Sequence, residues 1–318
     1  AEHVRGDDAQ EAGVGDRVTD ERDAAQYHVR ADARTGHTDQ RERAANMRGV
    51  AHTLMGKGVA YDPRAAVLDE RPTLRPFDDE IIRSRLAPKG WGGPLHELLV
   101  LTGPALASAF HSGALPPGTR PLHEASTRGA LAIDRVERVL PGRPFRLQVG
   151  PVDRLTLIPG VVSTAILPTD VLQLGDAALL ALVGRAYGVV RLGAVAAAVI
   201  PEGQEAAAAE LLRGALLGGS ADPRAQKLRL QLRDEERQAA ERLVEPALKG
   251  DVATALRVLS RGADRFALMV SGNVMATLHA TWLPTLLREP PQKAAALLQT
   301  SPNALELCAF AARDNTWL

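Results

Sequence analysis

The hydrophobic pattern changes at Leu54, the first leucine; residues 1–53 contain no Leu, Ile, Phe or Trp. Downstream, apolar positions recur at readable periods. Their spacing predicts a helix over 95–111, with Leu95, Leu98, Leu99, Leu101 and Leu106 on a largely buried surface, and another over 123–140. Between 144 and 149, Phe145, Leu147 and Val149 alternate with Arg146 and Gln148, the two-residue period of a strand. Residues 155–158 and 162–167 read as two further strands around the turn Pro159-Gly160. The run 177–191 is apolar almost all round, which places it at the centre of the fold, after the capping pairs Thr169-Asp170 and Gly175-Asp176.

Helical periods dominate the chain beyond residue 200. They predict helices over 202–217 and 223–244, the second with Leu228, Leu232, Ala239 and Leu243 opposite Arg233, Glu236 and Arg237. A short helix over 251–259 is expected to end at Arg261-Gly262. A longer one over 263–282 then carries Ala263, Phe266, Ala267, Val270, Val274 and Leu278 on one face. Pro284, Pro290 and Pro291 interrupt the chain before helices at 293–298 and 302–312. Nearer the start, a short helix over 77–85 has Asp78 and Asp79 at its first turn, and Gly90-Trp91-Gly92-Gly93-Pro94 reads as a loop. The expected fold is α+β and predominantly helical, with a small sheet at about 144–168 packed on a central helix at about 177–191. The pattern divides the chain into a polar N-terminal tail or linker (1–53), a Pro-rich transition (54–94) and a helical globular domain with the sheet (95–318).

Composition sharpens this in four places. Aromatics are only 3% of the 318 residues, so the core must be built from Leu, Val and Ala. Nineteen of the first 50 residues are Asp, Glu, Lys or Arg, a segment with too little apolar surface to offset its ordering entropy. Lys plus Arg equals Asp plus Glu, 38 each, which argues against a nucleic-acid partner. Among the basic residues Arg outnumbers Lys 33 to 5, the bias of a GC-rich bacterial genome. The most apolar stretch, 171–200, is broken by Asp176, Arg185 and Arg191, and the chain opens without an apolar leader. The expectation is a cytoplasmic protein with no membrane span.

Candidate chemistry is sparse. His96-Glu97 and His123-Glu124 each begin an H-E-x-x-H zinc motif, but Val100 and Thr127 stand where the second histidine belongs. Gly56-Lys57-Gly58 lacks the spacing of a phosphate loop, and Ser112, Ser126 and Ser163 lack a nucleophile motif. Asp234-Glu235-Glu236 reads as a solvated helix face. The single cysteine, Cys308, excludes an internal disulfide and reads as a buried, inert thiol.

One larger pattern stands out: strands, then an apolar helix with Ala181-Leu182-Val183-Gly184 followed by Arg185-Ala186-Tyr187-Gly188-Val189, then Ala263-Asp264 on a later helix. Over roughly 95–285 this resembles the core of gluzincin-type zinc endopeptidases of the CAAX-processing and heat-shock membrane protease kind. It is also similar to domains that follow tetratricopeptide-type repeats in large bacterial proteins, through Ala263-Asp264-Arg265 and Ser271-Gly272-Asn273. In the family the first helix carries two zinc-binding histidines and a catalytic Glu, and the second carries the third ligand. Here Gly188, Ala263 and Asp264 match, whereas Arg185 and Val189 replace the histidines, Ala186 the catalytic Glu and Ser260 the ligand Glu. Arginine stays protonated and cannot bind zinc, and a catalytic site needs three protein ligands.

The resemblance with these departures implies a degenerate, metal-free and cofactor-free domain: a non-catalytic protein-interaction or scaffold module. Its partner would be a protein or peptide, held by strand addition with 162–167 as the candidate edge. Arg185 and Asp264 are expected to pair in the interior, filling the former metal position. The alternative is a hydrolase with an unrecognised metal-free site, which would need a cleft uniting Arg185, Asp264 and His279.

Overall fold

Two-residue alternation and helical stripes build a mostly helical body around a small sheet. The structure, a computed structural model, describes residues 76–282 (Ser112 and Val161 excepted), residues 291–312, and Arg48, Val50, Ala51, His52, Met55 and Arg64. The polar segment expected over 1–53 therefore falls almost wholly outside the described residues, as do Gly56-Lys57-Gly58 and Ser112. The sheet and helices all belong to the unit Gly49–Leu318.

Four strands form one sheet: β1 (Arg120–Pro121), β2 (Arg146–Gly150), β3 (Thr156–Ile158) and β4 (Thr164–Pro168), in the order β1-β2-β4-β3. β2 and β4 run parallel, with Leu147 opposite Ala165 and Val149 opposite Leu167; β1 and β3 flank them antiparallel. This corrects the assignment of 162–167 as an edge. β4 is hydrogen-bonded on both sides and buried along its whole length, as expected of an apolar run covered on both faces. The sheet ends instead at β3, three residues long, and at β1, a pair missed in the sequence because two residues carry no alternation.

Among the described residues the α-helices of five or more residues are α1 (Gly93–Phe110), α2 (Thr127–Val139), α3 (Asp176–Arg191), α4 (Val195–Val199), α5 (Glu205–Leu216), α6 (Pro223–Gln231), α7 (Asp234–Ala247), α8 (Val252–Ser271), α9 (Val274–Trp282), α10 (Pro291–Thr300) and α11 (Pro302–Ala311). A short turn of helix at Asp79–Ile81, capped by Asp78, widens into Ile82–Leu86. Among the described residues no helix is long and apolar enough to cross a membrane.

Helix boundaries differ from expectation where a cap or a tertiary contact decides. The helix over 123–140 is split at Ser126, whose extended backbone lets its hydroxyl cap the N–H of Gly129. The helix over 223–244 breaks at Leu232, and Glu236 reaches back to the N–H of Arg233 at 3.2 Å to start α7. That break resets the helical phase, so α7 buries Ala240, Val244 and Ala247 rather than Ala239 and Leu243. Gly262 does not end a helix. A Cβ there would sit 2.3 Å from the Trp91 ring, so this glycine admits the indole against an uninterrupted α8. The stop comes at Gly272, left-handed at φ 58°, after which the Asn273 side chain accepts from the N–H of Ala276 and opens α9.

α3 is the central helix. Its residues from Ala177 to Val189 are buried apart from Arg185, and its broadest contact is with α8. Gly184 and Gly188 make that closeness possible: a Cβ on Gly188 would lie 2.9 Å from the Ala263 Cα and 3.1 Å from its carbonyl oxygen. A Cβ on Gly184 would meet a Val270 methyl at 2.4 Å. The two backbones therefore approach along a face of small residues, closer than side chains on both helices would permit.

Candidate functional site

The crossing of α3 and α8 gathers most of the residues singled out by the resemblance. Arg185 is the one residue of Ala177–Val189 that is not fully buried, and its Nε donates to Asp264 Oδ1 at 2.8 Å. The Asp264 side chain is 4% exposed and that of Arg185 19%, so the pair lies inside the crossing with one flank of the guanidinium reaching solvent. Ala186 and Val189 are buried in the core, and Ser260 is half-buried on α8. The expected pairing of Arg185 with Asp264 is thus present as a hydrogen-bonded ion pair.

These residues do not fit zinc. A guanidinium offers zinc no lone pair, Ala186 and Val189 offer no donor atoms, and Asp264 is already engaged by Arg185. Among the described residues no group of three or more His, Cys, Asp or Glu could hold a metal ion. What the arrangement does chemically is fix one positive and one negative charge against each other at the closest approach of two helices.

The histidines go to separate places. His279, on α9, is buried, and burial pulls its pKa down to about 4, so the imidazole is neutral at neutral pH. His123 is exposed beside Glu124. His96 stacks on Trp91 with ring centroids 4.3 Å apart, and burial lowers its pKa, with Glu97 opposing in part. A pocket of about 210 Å³ lies beside it, between the first turns of α1 and α8, lined by Gly92, Leu95, His96, Asp251, Thr254 and Val258 among others. Neither Arg185, Asp264 nor His279 lines this pocket. The Asp251 carboxyl is held below the usual carboxylate range, chiefly by the hydroxyl of Thr254, and caps α8. Cys308 is half-buried, and burial pushes its thiol up to about 11, which leaves it protonated at neutral pH.

Two polar clusters escaped the sequence. Arg265, 3% exposed, donates to the carbonyls of Leu86 (3.1 Å) and Ala87 (2.9 Å), pairs with Glu306, and stacks on the Phe310 ring at 4.4 Å. Arg191 lies over the Tyr187 ring at 4.6 Å, pairs with Glu137 at 3.0 Å, and donates to the carbonyl of Leu140. Burial raises the Tyr187 phenol well above its ordinary range, with Glu137 adding to the shift. The signal was available in both cases: an arginine within a buried helical run must find partners inside.

No protein-family model, curated protein or solved structure matches the chain.

Proposed function

We propose that the chain is a non-catalytic protein-interaction or scaffold module on a peptidase-like helix-and-sheet body from which the zinc site has been lost. The observation that carries this reading is the occupant of the former metal position. Where the resemblance places a ligand, Arg185 is instead tied to Asp264 at 2.8 Å, and the neighbouring positions Ala186 and Val189 are packed into the core. An arginine in that place converts a site for an ion into a structural contact.

The partner is a protein or a peptide in the bacterial cytoplasm. With β4 enclosed, strand addition is left to the β1 and β3 ends of the sheet, where strands of two and three residues give a peptide few backbone hydrogen bonds. Side-chain contacts must therefore supply most of the affinity, and exposed apolar residues such as Leu131 (65%), Leu217 (51%) and Leu230 (86%) offer them.

The test is a panel of extended peptides and unfolded model proteins incubated with the full chain and added zinc. Binding is read by fluorescence anisotropy and integrity by mass spectrometry. The expected result is micromolar binding with every peptide recovered intact. Cleavage of any peptide that survives in control buffer would overturn the non-catalytic reading, and absence of binding up to high micromolar concentration would overturn the interaction reading.

A further inference from the structure

Arg265 joins three parts of the chain that are far apart in sequence. Its Nη1 donates to the carbonyls of Leu86 and Ala87, where the helical segment Ile82–Leu86 ends. Its Nε donates to Glu306 Oε1 at 3.1 Å, its Nη2 pairs with the same carboxylate, and its guanidinium lies on the Phe310 ring. One turn earlier on α8, Arg261 Nε donates to Asn303 Oδ1 at 3.0 Å. Two arginines four residues apart on α8 thus face an amide and a carboxylate three residues apart on α11, a polar seam between the helices.

The apolar side of that contact is modest. α11 buries Ala304, Leu307, Phe310 and Ala311, whereas α8 buries residues along nearly its whole length. A segment with so little buried surface opens more readily than the α3–α8 core. When α11 leaves, Arg265 loses its carboxylate and its aromatic cover, while its two carbonyl bonds remain, beside the fully buried Leu86 side chain, to hold the Leu86–Ala87 turn to α8. A buried guanidinium stripped of its counter-charge draws in water, and those two bonds then compete with solvent.

We propose that α11 is a releasable strap latched by Arg265, and that the turn at Asp79–Ala87 opens together with it as one cooperative unit. The device is independent of the interaction reading above: it depends only on the geometry around Arg265. It makes α11 and a turn more than 200 residues earlier in the sequence respond to the same perturbation.

Amide hydrogen exchange followed by mass spectrometry on the intact chain tests this, comparing the wild type with Glu306→Gln and Arg265→Lys. In the wild type, peptides covering 79–87 and 302–311 should exchange with matching protection, below that of α3. Glu306→Gln removes one charged partner and keeps the side-chain shape; it should lower protection in both segments by about the same factor, roughly tenfold. Arg265→Lys should do the same or more, with α3 unchanged. Loss of protection at 302–311 with 79–87 untouched would show two independent units and overturn the proposal. No change in either segment would show that Arg265 is not the latch and overturn it equally. Should Arg265→Lys fail to fold, the Glu306→Gln comparison decides alone.

Discussion

Replacing Arg185 with alanine tests the buried pair most directly. The Asp264 carboxylate, 4% exposed, keeps its place in the interior but loses the guanidinium that compensates its charge. Breaking a buried pair by removing one partner costs about 3–5 kcal/mol, because the remaining charge stays desolvated. Arg185 is itself 19% exposed, so water can enter the space it vacates, and the cost belongs near the lower end, about 3 kcal/mol. For a domain of this size each kcal/mol shifts the midpoint by about 2–4 °C, so melting should fall by roughly 6–12 °C. Removing both charges together tells more. An apolar replacement of a buried pair is often close to neutral, so Arg185→Met combined with Asp264→Leu should recover most of the loss. Urea unfolding of Arg185→Met, Asp264→Leu and the double variant, followed by circular dichroism, gives three free energies relative to the wild type, and the cycle gives the coupling. A loss below about 1 kcal/mol for Arg185→Ala, or a double variant as unstable as the sum of the singles, would refute the argument.

The glycine contacts make a graded prediction. Gly188→Ala drives a methyl into backbone atoms of Ala263 at 2.9 and 3.1 Å, so α3 and α8 must separate, at a cost of about 2–3 kcal/mol in urea unfolding. Gly184→Ala meets a Val270 methyl at 2.4 Å but no backbone atom closer than the Ala267 Cα at 3.3 Å, so it should separate the helix backbones less and cost less; the reverse order would contradict the packing described. Stability should also fall with acid through His279. Its folded pKa of about 4 lies below the unfolded value near 6.5, so the unfolded chain holds more protons between those limits. The contribution is therefore complete above pH 6.5 and lost as the pH drops towards 4, about 3 kcal/mol in all. Urea midpoints across that window should show a shallower slope for His279→Met than for the wild type, and identical slopes would remove His279 from the account.

The elements that were legible in the sequence are those whose burial pattern is local. β2 alternates, α3 is apolar all round, and both appear within a residue or two of where the pattern placed them. The errors fall where a tertiary contact or a cap decides. Gly262 looks like a helix stop until Trp91 is seen to occupy the space a Cβ would fill. The stripe of 223–244 is continuous on paper, and only the break at Leu232 shifts it by one position. The edge assignment of 162–167 failed because strand order is non-local: an apolar run says that a strand is buried but not which neighbours it has. At the site, Arg185 and Asp264 could be paired from the sequence because the resemblance aligned their helices. Arg265 could not, since its partners at Leu86, Ala87 and Glu306 lie in segments that no pattern brings together.

The residues that match the peptidase pattern and those that depart from it divide along a physical line. Gly188, Ala263 and Asp264 match, and all three belong to the helix crossing: Gly188 admits the Ala263 backbone, and Asp264 takes the Arg185 guanidinium. The departures, Arg185, Ala186, Val189 and Ser260, are the positions at which metal chemistry would be performed. Packing alone is enough to require Gly188, because a side chain larger than hydrogen there would push α3 off α8. The geometry is demanding in its own right, since a helix buried almost all round can carry one arginine only if a carboxylate meets it. Arg185 and Asp264 meet that demand as a hydrogen-bonded ion pair inside the crossing, each charge compensated by the other.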